Sequence, residues 1–111
     1  MSIKIDRLNS TFKKEISYIL QNEVKDPNIK FVTVTGCEIT SDLSFAKVFV
    51  TVFDKEKKQE VMNALDGAKS FIRGEISKRV EIRHTPELRF VFDDSIEYGE
   101  KIDRLIDDLH K

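Results

Sequence analysis

The chain has 111 residues, of which 40% are hydrophobic and 35% are charged, and its formal net charge is −1. This length and composition are typical of a single globular domain with a strongly polar surface. Because the total charge is close to zero, it gives no argument for binding to nucleic acid or to membranes. Any such argument must rest on where the charges lie.

The cysteine content and the hydropathy pattern exclude several classes of protein. Cys37 is the single cysteine, which excludes an internal disulfide and a zinc site built on several cysteines. No segment approaches the ~20 apolar residues of a membrane span. The N-terminal stretch MSIKIDRLNS has no apolar core of signal-peptide length. We therefore expect one domain over residues 1–111, located in the cytoplasm.

A helix and two strands are predicted in the first half of the chain. Between residues 3 and 24, apolar side chains recur mostly at steps of three and four, which predicts an amphipathic α-helix ending before Pro27. The β-branched segment 31–40 predicts a strand, in which Gly36 indicates a bulge. Segment 44–53 alternates apolar and mixed residues, and the short connection predicts an antiparallel hairpin.

Helical spacing returns over residues about 55 to 80, but Gly67 and Gly74 fall inside it and predict a break or kink. Residues 88–93 form a third predicted strand, and a C-terminal helix follows. The predicted fold class is α+β, with a three-stranded mixed sheet and helices on one face. Because the third strand follows a long helical crossover, we expect it to lie parallel to the first strand.

This order, α-β-β-α-kink-α-β, is the topology of the type II KH domain, an RNA-binding module. An ordinary KH domain clamps a nucleic-acid backbone with a Gly-x-x-Gly loop between its two middle helices. The chain has four glycines, and no two of them have that spacing. We therefore expect a single KH-like RNA-binding domain over residues 1–111, but not an ordinary KH domain.

Three stretches in the correct order closely resemble the ribosome-binding factor A family. They are EISYILQNEVKDP at 15–27, TVTGCEITSDLSFAKVFVTV at 33–52, and FIRGEISKRVEIRHTPELRFVFDDS at 71–95. The family replaces the KH loop with a kink on an Ala-x-Gly pattern, which matches Ala68-Lys69-Ser70 except for the serine. The resemblance places the kink at Gly67, Ala68, Lys69 and Ser70. Family members often carry a longer charged tail, and we expect any role of that tail to be absent or moved in this chain.

Charge is distributed unevenly along the chain. Residues 69–92 and residues 1–14 each carry an excess of three positive charges, whereas residues 93–111 carry an excess of four negative charges. A kink would free backbone amides beside Lys69 and Arg73, which lie four residues apart, and amides with flanking cations can hold phosphate. The predicted RNA-binding residues are Arg7, Lys13, Lys14, Lys69, Ser70, Arg73, Lys78, Arg79 and Arg83. A local excess of this size is also common on a solvated surface.

Other candidate residues have simpler explanations. No serine or cysteine nucleophile has a recognisable context near His84, so a surface or turn histidine is favoured, and His110 is expected to be inert because of its terminal position. Cys37 is best explained as a small buried hydrophobe. Asp93 and Asp94 are explained by capping of the predicted C-terminal helix rather than by metal binding. Two aromatic residues of the second strand could stack on bases, but we favour a position beneath the C-terminal helix. These two residues are Phe45 and Phe49.

The family resemblance implies a non-enzymatic factor without a cofactor or metal. It would bind the free, immature 30S subunit and its precursor 16S rRNA, assist late maturation and rRNA processing, and matter most for growth in the cold. We expect it to act as a monomer. An alternative is a small protein-interaction adaptor with no direct RNA contact. A hydrolase or nuclease is disfavoured because the sequence has no evident acid–base pair or metal constellation.

Overall fold

The computed structural model describes residues 3–94, which form two α-helices and a three-stranded sheet. The predicted C-terminal helix and His110 lie outside the described residues. A short 3₁₀ turn at Lys55–Lys57 leads into the second helix. The elements in chain order are α1 (Ile3–Asn22), β1 (Val32–Ile39), β2 (Phe45–Val52), α2 (Lys58–Arg79) and β3 (Glu87–Phe92).

The first helix, α1, forms where the apolar spacing predicts it. Phe12, Ile16 and Ile19 on its inner face are completely buried. Past the end of the helix, the Asp26 side chain accepts a hydrogen bond from the Asn28 amide at 2.9 Å, which closes a turn around Pro27. The predicted helix and its termination before the proline are confirmed.

The hairpin contains the predicted irregularity at Gly36. Val34 pairs with Val50 and Gly36 pairs with Phe49, so Thr35 is an extra residue in β1 and forms a β-bulge. The bulge changes which residues point inward, from even numbers before it to odd numbers after it. Val32 and Val34 are buried on one side of the bulge, and Cys37 and Ile39 are buried on the other.

The pairing of β3 differs from the prediction. The sheet order is β1-β2-β3, and β3 runs parallel to β2 rather than to β1. The expected pairing with the first strand is therefore wrong, although the sheet is mixed as predicted. The reason is that α2 leaves the end of β2 and returns the chain to the start of that same strand. β2, α2 and β3 thus form a βαβ unit, and β2 is the central strand.

The second helix, α2, is a single continuous α-helix over Lys58–Arg79. The predicted division into two helices at Gly67–Ser70 is therefore wrong, and no backbone amides are freed there. Each helical glycine costs about 1 kcal/mol relative to alanine, but burying one leucine or isoleucine gains about 1.5–3 kcal/mol. The stripe of buried residues continues through both glycines: Val61, Leu65, Ile72 and Ile76.

Both helices pack against the inward face of the sheet and enclose one hydrophobic core. Ala46, Val48 and Val50 of the central strand are completely buried in it. The opposite face of the sheet carries the mixed residues of β2, among which Lys47 is exposed. Among residues 3–94, no helix is long and apolar enough to cross a membrane.

Candidate nucleic-acid interface

Arg73 of α2 is bonded to the protein's own backbone. Its Nε donates to the carbonyl oxygens of Thr85 at 3.1 Å and Pro86 at 3.2 Å, and its Nη2 donates to Thr85 at 2.6 Å. These bonds fix the segment that enters β3, where Pro86 is buried. Arg73 is half-buried, and chiefly its Nη1 is left for an outside ligand. Its first role is therefore to hold α2 to the start of β3.

Arg79, at the end of α2, connects the two helices. Its Nη2 lies 3.2 Å from Glu23 Oε1 and its Nη1 lies 3.8 Å from Glu15 Oε2, and both acids belong to α1 or its end. The guanidinium also lies 4.9 Å from the centre of the Tyr18 ring. Arg79 was predicted to bind RNA, but in this structure its charge is matched by α1.

Lys78 and Lys69 point into solvent on α2. Lys78 Nζ lies 3.9 Å from Glu75, but 76% of the lysine side chain is exposed, so this ion pair is weak. Lys69 is exposed and has no ion pair within residues 3–94. Both lysines are therefore available to an outside anion.

The two basic segments meet in a groove at one end of the molecule. This groove, of about 710 Å³, lies between the start of α1, the hairpin turn and the residues after α2. Three cations line it against one acid, Glu81, and its apolar lining includes Leu8 and Ile82; the cations are Lys4, Arg7 and Arg83. Within residues 3–94, neither Arg7 nor Arg83 has an ion pair or a side-chain hydrogen bond. We call this region the basic groove.

Arg83 also lines a second, smaller depression. That depression, of about 440 Å³, brings Arg83 together with Ser70, Arg73 and His84. The two depressions share Arg83, so they form a continuous surface from the start of α1 to the middle of α2. Four of the predicted RNA-binding residues line this surface: Arg7, Ser70, Arg73 and Arg83.

The remaining predicted cations on α1 lie outside this surface. Lys13 and Lys14 are exposed, but neither lines the basic groove. Lys4, which was counted in the basic N-terminal segment but was not among the predicted contacts, does line it. His84, predicted to be a surface or turn histidine, is exposed and lines the depression beside Arg83. In the sequence, the position of His84 next to Arg83 and close to Pro86 was the signal for this placement.

Two further side chains have clear structural roles. Burial raises the pKa of the Cys37 thiol to about 12, with a smaller effect from the charge of Glu38. The thiol stays protonated at neutral pH, which confirms the prediction of a small buried hydrophobe. Asp93 accepts a hydrogen bond from the Thr35 hydroxyl, and the helix it was predicted to cap lies outside the described residues.

The outer face of the sheet carries a further cation. The Arg89 guanidinium lies 4.0 Å from the centre of the Phe45 ring, a cation–π contact that the sequence analysis missed. Phe45 and Phe49 are both half-buried. Arg89 therefore occupies one face of the Phe45 ring. The favoured position of Phe45 and Phe49 beneath a C-terminal helix concerns residues outside the described range, so it stays a prediction.

The chain resembles known proteins over nearly all of its length. A family model described as "Ribosome-binding factor A" matches residues 4–106. A protein named ribosome-binding factor A from Staphylococcus carnosus is 46% identical over 110 residues, which are 98% of this chain and 96% of the relative.

Solved structures agree with this match. A Thermotoga maritima solution structure assigned as ribosome binding factor A has a TM-score of 0.74 and 32% identity, covering 87% of this chain and 93% of its own. The crystal structure of ribosome-binding factor A from Thermus thermophilus has a TM-score of 0.72 and 25% identity, covering 78% of this chain and 93% of its own. The chain therefore belongs to the ribosome-binding factor A family.

Proposed function

We propose that the protein binds the immature 30S ribosomal subunit through its precursor 16S rRNA and assists late maturation and rRNA processing. The observation that carries this proposal is the meeting of two distant basic segments in one groove, in a chain of this family. A homology model of the Thermus thermophilus ribosome binding factor A, 25% identical with a TM-score of 0.66 over 79% of this chain, has been fitted into a cryo-EM map of its complex with the 30S subunit. The proposed location is the cytoplasm, and the proposed active form is a monomer.

The chemistry of the basic groove suits the sugar–phosphate backbone. Arg7 and Arg83 have no partner within residues 3–94, so their guanidinium groups can each contact one or two phosphate oxygens. Exposed Lys69 and Lys78 extend the positive surface along α2, and exposed Lys13 and Lys14 extend it along α1. Contacts of this kind position a protein on RNA without reading its sequence.

We assign the fold to the KH-like type II class, with α2 as a continuous helix where an ordinary KH domain has two helices and a loop. In this arrangement side chains, rather than freed backbone amides, supply the donors to RNA. The protein would hold rRNA without cutting it, so it is not an enzyme under this proposal. Holding an unfinished subunit matters most when RNA rearranges slowly, which fits the expected importance for growth in the cold.

A salt titration of subunit binding tests the proposal. Arg83→Gln should bind immature 30S subunits more weakly than the wild type does. The slope of the logarithm of its binding constant against the logarithm of the salt concentration should be smaller in magnitude by about 1. Arg7→Gln combined with Arg83→Gln should lower the slope by about 2. The matched control is Lys47→Gln, because Lys47 is exposed on the outer face of the sheet. Co-sedimentation measures the bound fraction.

The same variants separate binding from maturation. Cells whose only copy is the double arginine variant should accumulate precursor 16S rRNA, and more so in the cold, whereas Lys47→Gln cells should not. Wild-type affinity and an unchanged salt slope in the double variant would reject the basic groove as the RNA site. Normal 16S ends in a strain lacking the protein would reject the role in processing.

A protein partner is the alternative, and one observation favours it. The basic groove is lined by apolar as well as cationic residues, among them Leu8, Leu43 and Ile82, which pack against the core at its border. An apolar side chain of a protein could occupy this lining. Nuclease treatment separates the two cases, because an adaptor would keep its partner after the RNA is digested.

A further inference from the structure

A pair of exposed phenylalanines marks the open end of the hairpin, away from the basic groove. Phe31 directly precedes β1 and Phe53 directly follows β2. Val32 pairs with Val52, so the two phenylalanines are the next opposed positions, and the Phe53 amide donates to the Phe31 carbonyl at 3.4 Å. Opposed residues in such a pair have Cβ atoms about 4.5–5.5 Å apart. The two rings are therefore neighbours.

Folding does not account for these two rings. Phe31 and Phe53 lie just beyond the ends of β1 and β2, and neither ring is taken into the core, whereas the neighbouring Val32 and Val52 are buried. Phe31 is 70% exposed and Phe53 is 88% exposed, whereas Phe12 in the core is completely buried. Adjacent large apolar groups left in water indicate an interaction site. We call Phe31 and Phe53 the aromatic pair.

The aromatic pair stands between two depressions, and both rings line both of them. One depression, of about 510 Å³, also contains Asn28 and Lys57. The other, of about 360 Å³, also contains Lys30 and the hydroxyl-bearing Thr51. These volumes fall within the range of about 300–1,000 Å³ that is typical of small-ligand sites. Each depression therefore has room for a flat ring beside a phenylalanine.

The charged residues that line the two depressions are two lysines, Lys30 and Lys57, and one acid, Asp54, which leaves an excess of one positive charge. Lys30 and Lys57, one in each depression, have no ion pair within residues 3–94. Asp54 is the acid in the first depression, and its Oδ1 already accepts the Glu56 amide at 3.1 Å. Aromatic rings flanked by cations are the chemistry by which proteins hold single-stranded nucleic acid.

We propose that the aromatic pair stacks an unpaired base of RNA, while Lys30 and Lys57 contact the phosphates on either side of it. The inference rests on the proposed function, because the RNA would belong to the immature subunit. β2 has eight residues between the hairpin turn and the aromatic pair, which corresponds to about 26 Å. The protein thus contacts the subunit at two separate points, with a backbone contact at the basic groove and a stacked base at the far end.

Two matched double variants test the stacking. Phe31→Leu with Phe53→Leu keeps apolar side chains but removes both rings, and Phe31→Tyr with Phe53→Tyr keeps the rings and adds hydroxyls that reach water. The leucine variant should bind immature subunits about 5- to 150-fold more weakly, because stacking contributes about 1–3 kcal/mol per base. The tyrosine variant should bind within about twofold of the wild type.

Ultraviolet crosslinking of the wild type to the subunits identifies the occupant. We expect a nucleotide on the peptide that contains Phe31 or Phe53, and its loss in the leucine variant. Wild-type affinity of the leucine variant, with no nucleotide on either peptide, would overturn the inference. So would amine-reactive crosslinks from Lys30 or Lys57 to a ribosomal protein or to a second copy of this chain, without any nucleotide on the aromatic pair.

A labelled single-stranded oligonucleotide separates failure of this inference from failure of the proposed function. If the wild type binds no subunits, the proposed function fails. Stacking is then supported when the leucine variant binds the oligonucleotide more weakly than the wild type, and overturned when both bind equally or not at all. If the wild type binds subunits and the leucine variant does so equally well, only the stacking fails.

Discussion

The arginines of α2 and the arginines of the basic groove lie close together but have opposite surroundings. Arg73 donates to backbone carbonyls and Arg79 lies beside two glutamates, so both are occupied by the protein itself. Arg7 and Arg83 line an open groove with no partner in the described part of the chain. The number of charges in a sequence segment therefore does not show which arginines have partners within the protein. The side-chain contacts in the structure distinguish the structural arginines from those that can bind RNA.

Replacing Arg73 should give the largest loss of stability. Arg73→Ala removes the donors to the Thr85 and Pro86 carbonyls, and hydrogen bonds to a charged group contribute about 1.5–3 kcal/mol. We expect the free energy of unfolding to fall by about 2–3 kcal/mol, measured by urea denaturation. Lys69→Ala, at an exposed position on the same helix, is the control and should change it by less than about 0.5 kcal/mol. If both changes lowered the free energy of unfolding equally, the hydrogen bonds of Arg73 would not contribute to stability.

Replacing Arg79 should have a smaller effect that depends on salt. Arg79→Gln removes the contacts to Glu15, Glu23 and the Tyr18 ring. Partly exposed ion pairs contribute about 0.2–1 kcal/mol each, so we expect a total loss of about 1 kcal/mol. The loss should shrink in 1 M salt, because salt screens exposed charges. A variant that unfolds like the wild type but binds subunits poorly would show that Arg79 turns outward to RNA.

Filling the helix at Gly67 should stabilise the protein slightly. An added Cβ would have no atom within 4 Å, and Gly67 lies inside the continuous helix α2. Gly67→Ala should therefore raise the free energy of unfolding by about 0.5–1 kcal/mol, seen as a higher Tm. Destabilisation would mean that the helix bends there in solution, as the family resemblance suggested. Subunit binding should stay unchanged, because no donors to RNA come from this backbone.

The smallest effect concerns the acid stability of the hairpin turn. The Thr40 hydroxyl and the Ser44 amide donate to Asp42 Oδ1 at 2.8 and 3.0 Å, which lowers the pKa of Asp42 below its usual 3.8. A lowered pKa stabilises the folded state above pH 3.8, and this contribution is lost as the pH falls through the folded-state pKa.

The wild type should therefore be more stable than Asp42→Asn at about pH 6, and the difference should close by about pH 2. Thermal unfolding at each pH measures this difference. A difference that stays constant across the range would show that the charge of Asp42 plays no part in the turn.

The sequence predicted the parts of the fold that depend on neighbouring residues. The apolar stripe of α1, the alternation of β2 and the bulge at Gly36 all follow from local spacing, and all are present. The break in α2 was wrong because glycine propensity was weighed without the buried stripe that continues past Gly67 and Gly74. The predicted pairing of β3 with β1 was wrong because the pairing depends on where α2 returns the chain to the sheet, which is beside β2.

The candidate site was predictable only in outline. Charge counting found both basic segments, but the basic groove exists because the start of α1, the hairpin turn and residue Arg83 meet in space. The bonds of Arg73 could not be read from the sequence either, since they depend on how the chain before β3 folds back on α2. The sequence indicated the exposure of Phe53 only weakly, because Phe53 has an odd number in a segment whose even-numbered residues, such as Val52, face the core.

The extra residue in β1 has a consequence for the far edge of the sheet. The Thr35 hydroxyl donates to the Asp93 carboxylate just beyond β3, and its oxygen also lies 3.3 Å from the Phe49 carbonyl oxygen in the central strand, so one inserted residue contacts both other strands or their ends. Deleting Thr35 would leave Val34 and Cys37 facing inward as they do now, and the hairpin would simply become regular. What it would lose is one of the bonds that hold Asp93, whose amide also donates to the Val50 carbonyl at 2.7 Å, at the point where the chain leaves the sheet. Thr35 is thus not needed for the pairing of β1 with β2, but it helps to hold the chain where it leaves β3.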